Sequence, residues 1–334
     1  MRISILGAGT WGTALAALLT KNGHEVALWS AIADEICELR DRGVHRNLPG
    51  VPLLSWINYT TDIKEALEGR ELVIFVTPSE YIRSTAIKAA PFIERGAIVA
   101  TAAKGIEPGS HLTMTEIVGE ELSRARDDGG FRIAALSGPT HAEEVALGLP
   151  TSIVAASEDG EVSRIIAEVF ANSCMRVYTN RDVRGVEICG ALKNIIALAA
   201  GMSRGMGFGD NAKAMLITRG AQEIMRMGMA LGCERGTFMG LAGIGDLIVT
   251  CTSVHSRNNR CGELIGGGMS YTDASQKIGM VVEGYHALTA AMELASEHGV
   301  EMPITEAVDA VINRGRPIYD VMRELMARDI KSEI

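Results

Sequence analysis

The first half of the chain alternates short apolar runs with longer stretches of helical spacing. This alternation predicts the α/β fold class, built on a doubly wound, largely parallel sheet. The predicted strands are the run from Ile3 to Leu6 and residues 24–29, 71–76, 97–101, 132–136, 151–156 and 175–178. The predicted helices between them include one that begins near Thr10 and those at residues 82–93 and 112–126.

In the second half, strand signals stop at about Asp182, and helical spacing rich in Ala, Met, Leu and Gly continues nearly to the end. Glycine clusters at residues 201–209, 240–245 and 266–268 interrupt these helices, and we expect them to form loops around a cleft. We therefore predict an α/β domain over residues 1–180 and an all-α domain over residues 181–334.

A glycine-rich segment, GAGTWG at residues 7–12, joins the first predicted strand to the next helix. Its spacing is that of the G-x-G-x-x-G motif, which binds a dinucleotide in this strand-then-helix context. We expect Gly7 to form a tight turn, Gly9 to let the backbone approach a pyrophosphate, and Gly12 to allow close helix packing. The N–H groups of the helix near Thr10 would face the phosphates. These features predict a Rossmann-type domain followed by a helical substrate domain.

A secretory signal peptide is the alternative interpretation of the N-terminus, since Arg2 precedes a mostly apolar stretch through Leu19. Three glycines interrupt that stretch, and residues 24–29 follow at the spacing of a βαβ unit. No later segment offers the ~18 uninterrupted apolar residues of a membrane span. We therefore favour the nucleotide-binding interpretation and expect no membrane span.

Composition narrows the classes of partner. The formal charge of −9, from 41 acidic residues against 32 Lys and Arg, argues against a general nucleic-acid or anionic-membrane surface. Local basic groups must therefore meet any anionic ligand. Six cysteines without a C-x-x-C spacing are interpreted as reduced, cytosolic thiols. Seven histidines show neither an H-x-x-x-H spacing nor a Cys/His cluster, so no metal site is expected.

Ligands of doubly wound sheets bind where the strands end. The segments that follow three of the predicted strands are residues 77–79, 103–107 and 137–140, and Lys104 is the only base among them. Small neighbours, Ala103 and Gly105, leave Lys104 accessible beside the expected cofactor. An exposed, solubilising lysine is the alternative.

Two charges lie in otherwise apolar stretches of the second half. Lys193, with Asn194 beside it, interrupts an Ala- and Leu-rich helix, and Asp246 follows the segment LAGIG. Because uncompensated buried charges are costly, we expect the two to pair, with the acid orienting the base. Partial desolvation would lower the pKa of Lys193, so that it exchanges a proton near neutral pH. The alternatives are a snorkelling lysine and an ordinary helix N-cap aspartate.

The segment SRNNR at residues 256–260 is dense in hydrogen-bond donors. Its guanidinium groups suit a bidentate grip on phosphate, which would supply the local basic site that an acidic protein needs. A solvated polar loop is the alternative.

Taken together and in this order, these segments resemble the bacterial type of NAD(P)-dependent glycerol-3-phosphate dehydrogenase over essentially the whole chain. The motifs that carry the resemblance are GAGTWGTALA, AKGIE, LSGPTHAEEVA, GALKNIIALAAG, GIGDLIVTCTS, SRNNRCG and VVEGYHA. The resemblance implies a cytoplasmic enzyme that uses NAD(P)H to reduce dihydroxyacetone phosphate reversibly to sn-glycerol 3-phosphate for phospholipid synthesis.

The resemblance also implies roles for individual residues. Lys193 would exchange a proton with the C2 oxygen, Asp246 would lie beside that oxygen, and Lys104 would touch both cofactor and substrate. Arg257 with Asn258 would hold the phosphate. The remaining substrate positions would be Gly138, Thr140, Asn194 and Ser256. The cofactor positions would be Thr10, Trp11, Lys104, Ala142, Arg257, Val282 and Glu283.

The chain departs from the family pattern at three places. After the second strand, Ser30 to Ala33 include neither an acid for ribose hydroxyls nor a base for a 2′-phosphate, and the arginine that family members commonly carry there is absent. Ser30 and Arg46 could still contribute to binding of NADPH, so the preference between NADH and NADPH stays open. Thr140 replaces the usual serine and keeps its hydroxyl, and His141 replaces the usual phenylalanine.

Two rival functions and one open question remain. Other two-domain dehydrogenases, of the 6-phosphogluconate and β-hydroxyacid type, also use a lysine near an asparagine. A non-catalytic dinucleotide sensor would keep the fold without turnover. The Ala- and Gly-rich helices of the second half fit a homodimer as well as packing within one chain.

Overall fold

In the computed structural model, residues 1–53, 56–126 and 129–329 are described. Within them, eight strands form one sheet, and most of these strands are apolar, β-branched runs. The strands are β1 (Arg2–Leu6), β2 (Glu25–Trp29), β3 (Asn58–Thr60), β4 (Leu72–Phe75), β5 (Ile98–Thr101), β6 (Arg132–Ser137), β7 (Thr151–Ala156) and β8 (Met175–Asn180).

The strands lie in the order β3-β2-β1-β4-β5-β6-β7-β8. Every neighbouring pair is parallel except β6 with β7, which run antiparallel with Ala135 opposite Ala156. The predicted doubly wound, largely parallel sheet is confirmed. Sequence reasoning missed β3, because its three residues, NYT, form no apolar run. The strand order reverses at β1, which places the ends of β1 and β4 side by side where ligands of such sheets bind.

Helices cover both faces of the sheet and form, with connecting loops and turns, the second half of the chain. In the described residues they are α1 (Thr10–Lys21), α2 (Ala33–Arg42), α3 (Ile63–Leu67), α4 (Ile82–Ala89), α5 (Met114–Ala125), α6 (Ala142–Leu147), α7 (Gly160–Phe170), α8 (Val183–Gly205), α9 (Asp210–Ala230), α10 (Arg235–Phe238), α11 (Asp246–Thr252), α12 (Arg257–Gly266), α13 (Tyr271–Ile278), α14 (Glu283–His298), α15 (Pro303–Ile312) and α16 (Ile318–Met326).

The predicted helix at residues 82–93 ends earlier than expected, at Ala89, and a 3₁₀ turn over Ala90–Phe92 follows it. Pro91 lacks an N–H group and therefore ends the α-helical hydrogen bonding. The strand and helix that flank the predicted domain boundary are β8, ending at Asn180, and α8, starting at Val183. The division at residue 180 itself stays a prediction, and residues 330–334 of the second domain lie outside the described residues.

Helix α8 is the centre of the helical half, with α9, α11, α12 and α14 packed around it. Every residue from Gly185 to Ser203 is buried, as expected of a helix that is apolar all round. By length and composition α8 is able to cross a membrane, but its apolar window is entirely buried inside the fold. That position is typical of a core helix.

Glycines bring the backbones of α8 and α12 into direct contact. A Cβ atom on Gly201 would lie 2.0 Å from the carbonyl oxygen of Asn259, and one on Gly262 would lie 2.1 Å from that of Leu198. No side chain fits between the helices at these two points. The spacing of α8 and α12 is therefore fixed by their main chains.

Candidate active site

The turn after β1 has the steric form that the glycine motif predicts. Gly7 has φ +129°, and a Cβ there would lie 2.8 Å from the amide nitrogen of Thr77. A Cβ on Gly12 would lie 1.9 Å from the carbonyl oxygen of Gly7, so helix α1 packs against the turn only with glycine there. A Cβ on Gly9 would meet no atom within 4 Å. Gly9 therefore leaves its backbone open to a ligand.

This turn fits the pyrophosphate of a dinucleotide. Gly9 is the N-cap residue of α1. Because glycine has no side chain, no side-chain hydrogen bond caps the first N–H groups of the helix, and they stay available to a ligand. The hydroxyl of Thr77, just beyond β4, is buried and has no hydrogen-bond partner in the described part of the chain. An unpartnered buried hydroxyl next to an open glycine turn is what a polar ligand would satisfy.

The other predicted cofactor residues come from α1, α6 and the start of α14. Thr10 opens α1 and accepts a hydrogen bond from Asn47 Nδ2 at 3.1 Å. Trp11 and Ala142 are partly buried and pack against the same small apolar cluster. Glu283 lies at the start of α14, where its carboxylate accepts hydrogen bonds from the Ser79 hydroxyl (2.5 Å) and amide (3.1 Å). The side chain of Val282 is buried in the helical core.

Three charged residues from distant parts of the chain meet at the carboxyl end of the sheet. Lys193 Nζ donates to Asp246 Oδ1 at 2.5 Å, and Lys104 Nζ donates to Asp246 Oδ2 at 2.6 Å. Lys104 Nζ also lies 3.3 Å from the carbonyl oxygen of Gly138, which follows β6. The expected pairing of Lys193 with Asp246 is present, and Lys104, chosen for its place after β5, joins the same carboxylate.

Burial separates these residues from ordinary surface ion pairs. The side chains of Lys193 and Asp246 are 7% and 1% exposed, and that of Lys104 is 19% exposed. The snorkelling alternative for Lys193 is therefore wrong. So is the N-cap alternative for Asp246, because its backbone is helical and both carboxylate oxygens bind lysines.

Local backbone features position Asp246 and make room for Lys104 beside it. A π-helical turn over Leu241–Gly245 precedes α11, and Asp246 lies directly after this turn, at the start of α11. A Cβ on Gly190 would lie 3.3 Å from Cγ of Lys104 and 3.1 Å from the Ser137 hydroxyl, so glycine on α8 makes room for the Lys104 side chain.

Thr250 also belongs to the cluster, and sequence reasoning missed it. Its hydroxyl accepts a hydrogen bond from Lys193 Nζ at 2.6 Å and donates to the Asp246 carbonyl oxygen at 2.6 Å. The available signal was the i, i+4 spacing of Asp246 and Thr250, which puts both on one helix face.

The electrostatics of the cluster suit proton transfer. Burial lowers the pKa of Lys193 to about 8, although Asp246 acts in the opposite direction. For Asp246, burial alone would raise the pKa, but Lys104 and Lys193 hold it below its usual value. At neutral pH the site therefore contains an ionised acid and a lysine close to its own midpoint.

A second group of predicted residues lies along α12. Ser256 is the N-cap of α12 and accepts from the Asn259 amide at 3.2 Å, so its hydroxyl is used in capping. Asn258 Nδ2 donates to Asn194 Oδ1 at 3.0 Å, while Asn258 Oδ1 accepts from the Gly284 amide at 2.9 Å. The two buried amides thus fasten α8, α12 and α14 to one another.

Arg257 differs from its neighbours in having an unused charge. Among the described residues its guanidinium makes no hydrogen bond and no ion pair, although the residue is only partly exposed. Burial lowers its pKa, with Glu283 acting in the opposite direction. A partly desolvated guanidinium without an anion is a ready binding group for phosphate.

Thr140 and His141 lie in the loop between β6 and α6. The Thr140 hydroxyl donates to the Gly138 carbonyl oxygen at 3.2 Å, so it is directed to the loop itself. His141 is the N-cap of α6, and burial lowers its pKa, with Lys193 as the next contributor. The roles of all these residues toward a ligand stay predictions.

Comparison with known proteins covers both halves of the chain. The family model described as NAD-dependent glycerol-3-phosphate dehydrogenase N-terminus matches residues 2–163, and the corresponding C-terminus model matches residues 182–323. The chain is 51% identical over 333 residues to glycerol-3-phosphate dehydrogenase (NAD(P)+) 2 of Lactobacillus delbrueckii subsp. bulgaricus, covering 100% of this chain and 99% of that protein. It is 48% identical over 331 residues to glycerol-3-phosphate dehydrogenase (NAD(P)+) of Bacillus subtilis, covering 98% and 94%.

Among solved structures, the glycerol-3-phosphate dehydrogenase of Coxiella burnetii superposes with a TM-score of 0.93 at 38% identity, covering 98% of this chain and 99% of that one. A ketopantoate reductase from Ralstonia eutropha, at TM-score 0.62 and 18% identity, shares the fold alone. The glycine turn, the lysine–aspartate cluster and these full-length matches agree, and the chain belongs to the NAD-dependent glycerol-3-phosphate dehydrogenase family.

Proposed function

We propose that this protein catalyses the reversible, NAD(P)H-dependent reduction of dihydroxyacetone phosphate to sn-glycerol 3-phosphate in the cytoplasm, for glycerophospholipid synthesis. The observation that carries the proposal is the buried Lys104–Asp246–Lys193 cluster at the sheet edge that also holds the open glycine turn. The names and lengths of the relatives support the same reaction.

The free hydrogen of Lys193 sets its role. An ammonium group has three donors. One binds Asp246 Oδ1 and one binds Thr250 Oγ1, which leaves one for a ligand. Asp246 and Thr250 fix where that hydrogen points. We assign it to the C2 oxygen of the substrate, to which Lys193 gives its proton during reduction and from which it takes a proton during oxidation.

Lys104 stabilises charge at the same oxygen. Its ammonium also keeps one hydrogen beyond those directed to Asp246 and the Gly138 carbonyl oxygen. When bound, the nicotinamide supplies the hydride. Two cationic donors fixed in a desolvated site would stabilise the negative charge that develops on the C2 oxygen.

Arg257 is assigned to the substrate phosphate. Its unpaired guanidinium lies on α12, beside Asn258, whose amide is bonded to Asn194 one residue from Lys193. Phosphate binding at Arg257 would hold the carbonyl carbon at Lys193, so that remote binding energy serves positioning.

Turnover with dihydroxyacetone phosphate and reduced nicotinamide, followed by absorbance, tests the proposal. We expect Lys193→Met to lower kcat by about 10²- to 10⁴-fold, the usual worth of a general acid, with cofactor binding retained. Lys88→Met, at an exposed position on α4, is the matched control and should keep wild-type activity.

Near-wild-type turnover of Lys193→Met would refute the role of Lys193. A wild-type protein that binds cofactor but turns over no phosphorylated carbonyl compound would favour the sensor alternative instead.

A further inference from the structure

A carboxylate lies at the carboxyl end of β2, although no acid follows that strand directly in sequence. Ser30 is the first residue after β2, and its hydroxyl donates to Glu35 Oε2 at 2.7 Å. The same hydroxyl accepts from the Ile32 amide at 3.1 Å. Ser30 itself is 5% exposed, so this double contact holds Glu35, from the first turn of α2, against the end of the strand.

This position is beside the glycine turn. Strands β1 and β2 are parallel neighbours, with Leu6 paired to Trp29, and the Gly7 amide donates to the Trp29 carbonyl oxygen at 2.9 Å. In dinucleotide-binding domains the end of the second strand faces the ribose of the adenosine half. An acid there accepts hydrogen bonds from the ribose hydroxyls, and a base there accommodates the 2′-phosphate of NADP.

The charge of Glu35 is not neutralised by its surroundings. Within the described residues it forms no ion pair, and the residue is partly exposed. The nearby arginines are engaged elsewhere. Arg40 donates to the Tyr59 carbonyl oxygen at 2.7 Å, while Arg42 and Arg46 pair with Glu38 at 2.8 and 3.1 Å.

His45 also faces this region and does not supply a cation at neutral pH. Burial lowers its pKa, and Arg46 lowers it further, against the opposing effect of Glu35 and Glu38. Within the part of the chain that the structure describes, these arginines are already in contact with other groups and His45 is neutral, so a 2′-phosphate would be repelled by the Glu35 carboxylate.

We propose that Glu35, held by Ser30, selects NADH over NADPH as the cofactor of this enzyme. The inference rests on the proposed function only in assuming that a dinucleotide occupies the glycine turn. Residues 30–33 contain no acid that would indicate a cofactor preference. Glu35 supplies that acid from the next helix, and its hydrogen bond with Ser30 holds it at the end of the strand.

Equilibrium titration of the full-length protein with NADH and NADPH, followed by nicotinamide fluorescence, tests this without any substrate. We expect wild type to bind NADH more tightly by on the order of tenfold to hundredfold, the fold-change that corresponds to one hydrogen bond to a charged group. Glu35→Gln should lower that ratio at least several-fold, and Glu35→Arg should invert it. Ser30→Ala should lower it less, because the charge remains but is no longer held.

Asp34→Asn is the matched control. It removes one negative charge from the adjacent, exposed position of the same helix turn and should leave the ratio unchanged. Thermal midpoints of all variants report whether they fold. Equal or tighter NADPH binding by wild type, or equal ratios for Glu35→Gln and wild type, would overturn the inference.

The specificity constants for the two cofactors give a second readout and separate the proposals. A changed binding ratio in Glu35→Gln together with no turnover of dihydroxyacetone phosphate would support the cofactor inference while refuting the proposed reaction. Failure of wild type to bind either dinucleotide would overturn both.

Discussion

Two buried carboxylates of this molecule have opposite electrostatic character. Asp246 is 1% exposed and lies between the ammonium groups of Lys104 and Lys193. Glu223, on α9, is 2% exposed and accepts from the Ile304 amide at 2.6 Å and from the Thr305 amide at 3.3 Å. Burial raises the pKa of Glu223 to about 7, whereas the two lysines hold that of Asp246 below its usual value.

The difference shows that burial of an acid does not by itself mark an active site. Glu223 has a structural role at the N-terminus of α15. It accepts hydrogen bonds from the first backbone amides of that helix, where the helix dipole also attracts a carboxylate. Glu187 on α8 is similar, since burial raises its pKa to about 6 and it accepts from the Thr115 amide at 2.9 Å. Of these three carboxylates, only Asp246 is held in its ionised form by lysines. Those lysines also keep ammonium hydrogens that can bind a ligand.

The largest effect is expected from Asp246→Asn. It would leave two ammonium groups facing each other without an anion, which would lower the pKa of Lys193 further and misplace its proton. We expect kcat to fall by about 10³-fold or more, because the variant loses the orientation of the general acid, worth about 10²- to 10⁴-fold, and also the fixed pair of cationic donors at the developing oxyanion. Steady-state kinetics measures this.

Glu223→Gln is the control for that experiment, because it removes an equally buried carboxylate outside the site. Its kcat should equal that of wild type. Similar losses of kcat in Asp246→Asn and Glu223→Gln would show that loss of any buried carboxylate lowers kcat through stability, and would contradict a specific role of Asp246 in catalysis.

Arg257→Ala tests a charge for which the described residues supply no hydrogen bond or ion pair. Because charged hydrogen bonds contribute about 1.5–3 kcal/mol each, we expect KM for dihydroxyacetone phosphate to rise by about 10- to 100-fold. Arg260→Ala, an exposed arginine on the same helix, should leave KM unchanged. Turnover of unphosphorylated dihydroxyacetone, measured alongside, should respond equally little in both variants, and equal KM values for Arg257→Ala and wild type would contradict the assignment.

The pH dependence of kcat/KM reports the state of Lys193 in the free enzyme, to which its pKa belongs. Its pKa of about 8 implies that reduction, which needs the ammonium, falls about tenfold per pH unit above that value. Oxidation of glycerol 3-phosphate needs the neutral amine and should rise through pH 8 and then level off. A profile with the same slope in both directions would exclude Lys193 as the titrating group.

The smallest effect on turnover is expected from titration of Glu223, which should change the free energy of unfolding and not the reaction. Its pKa of about 7 in the fold exceeds the ordinary value of 4.5 for a glutamate, so the native state holds its proton to higher pH than the unfolded state. The stability it contributes is therefore full below pH 4.5 and is lost as pH rises through 7, by about 3 kcal/mol. In Glu223→Gln this slope of the unfolding free energy should disappear, as chemical denaturation at several pH values will show.

Glu306→Gln is the matched control, since Glu306 is exposed in the first turn of the same helix α15. Its pH slope should match that of wild type. A slope retained in Glu223→Gln would mean that another group titrates.

Sequence patterns predicted those parts of the site in which a residue type conflicts with its surroundings. Lys193 and Asp246 are charges in apolar stretches, and Gly7 and Gly12 fill positions that admit no side chain. The doubly wound sheet followed from alternating runs, except for the short polar strand β3.

Residues whose importance depends on a three-dimensional partner were not predictable. Thr250 and Glu187 are common types at unremarkable positions, and only the folded chain brings them to Lys193 and Thr115. Glu35 reaches the end of β2 through Ser30, five residues away, where a rule about the strand end finds no acid. Ser256, expected at the substrate, is used in capping α12.

The contact between α8 and α12 has a consequence for substrate length. Lys193 lies on α8 and Arg257 on α12, and glycines at 201 and 262 leave the two main chains touching. The separation of the two helices that carry the proposed proton donor and the proposed phosphate-binding residue is thus set by main-chain contact. If Lys193 and Arg257 have the proposed roles, we expect a phosphorylated ketone with one more carbon between its phosphate and its carbonyl to react more slowly, because the helices cannot move apart to accommodate it and only the two side chains can adjust.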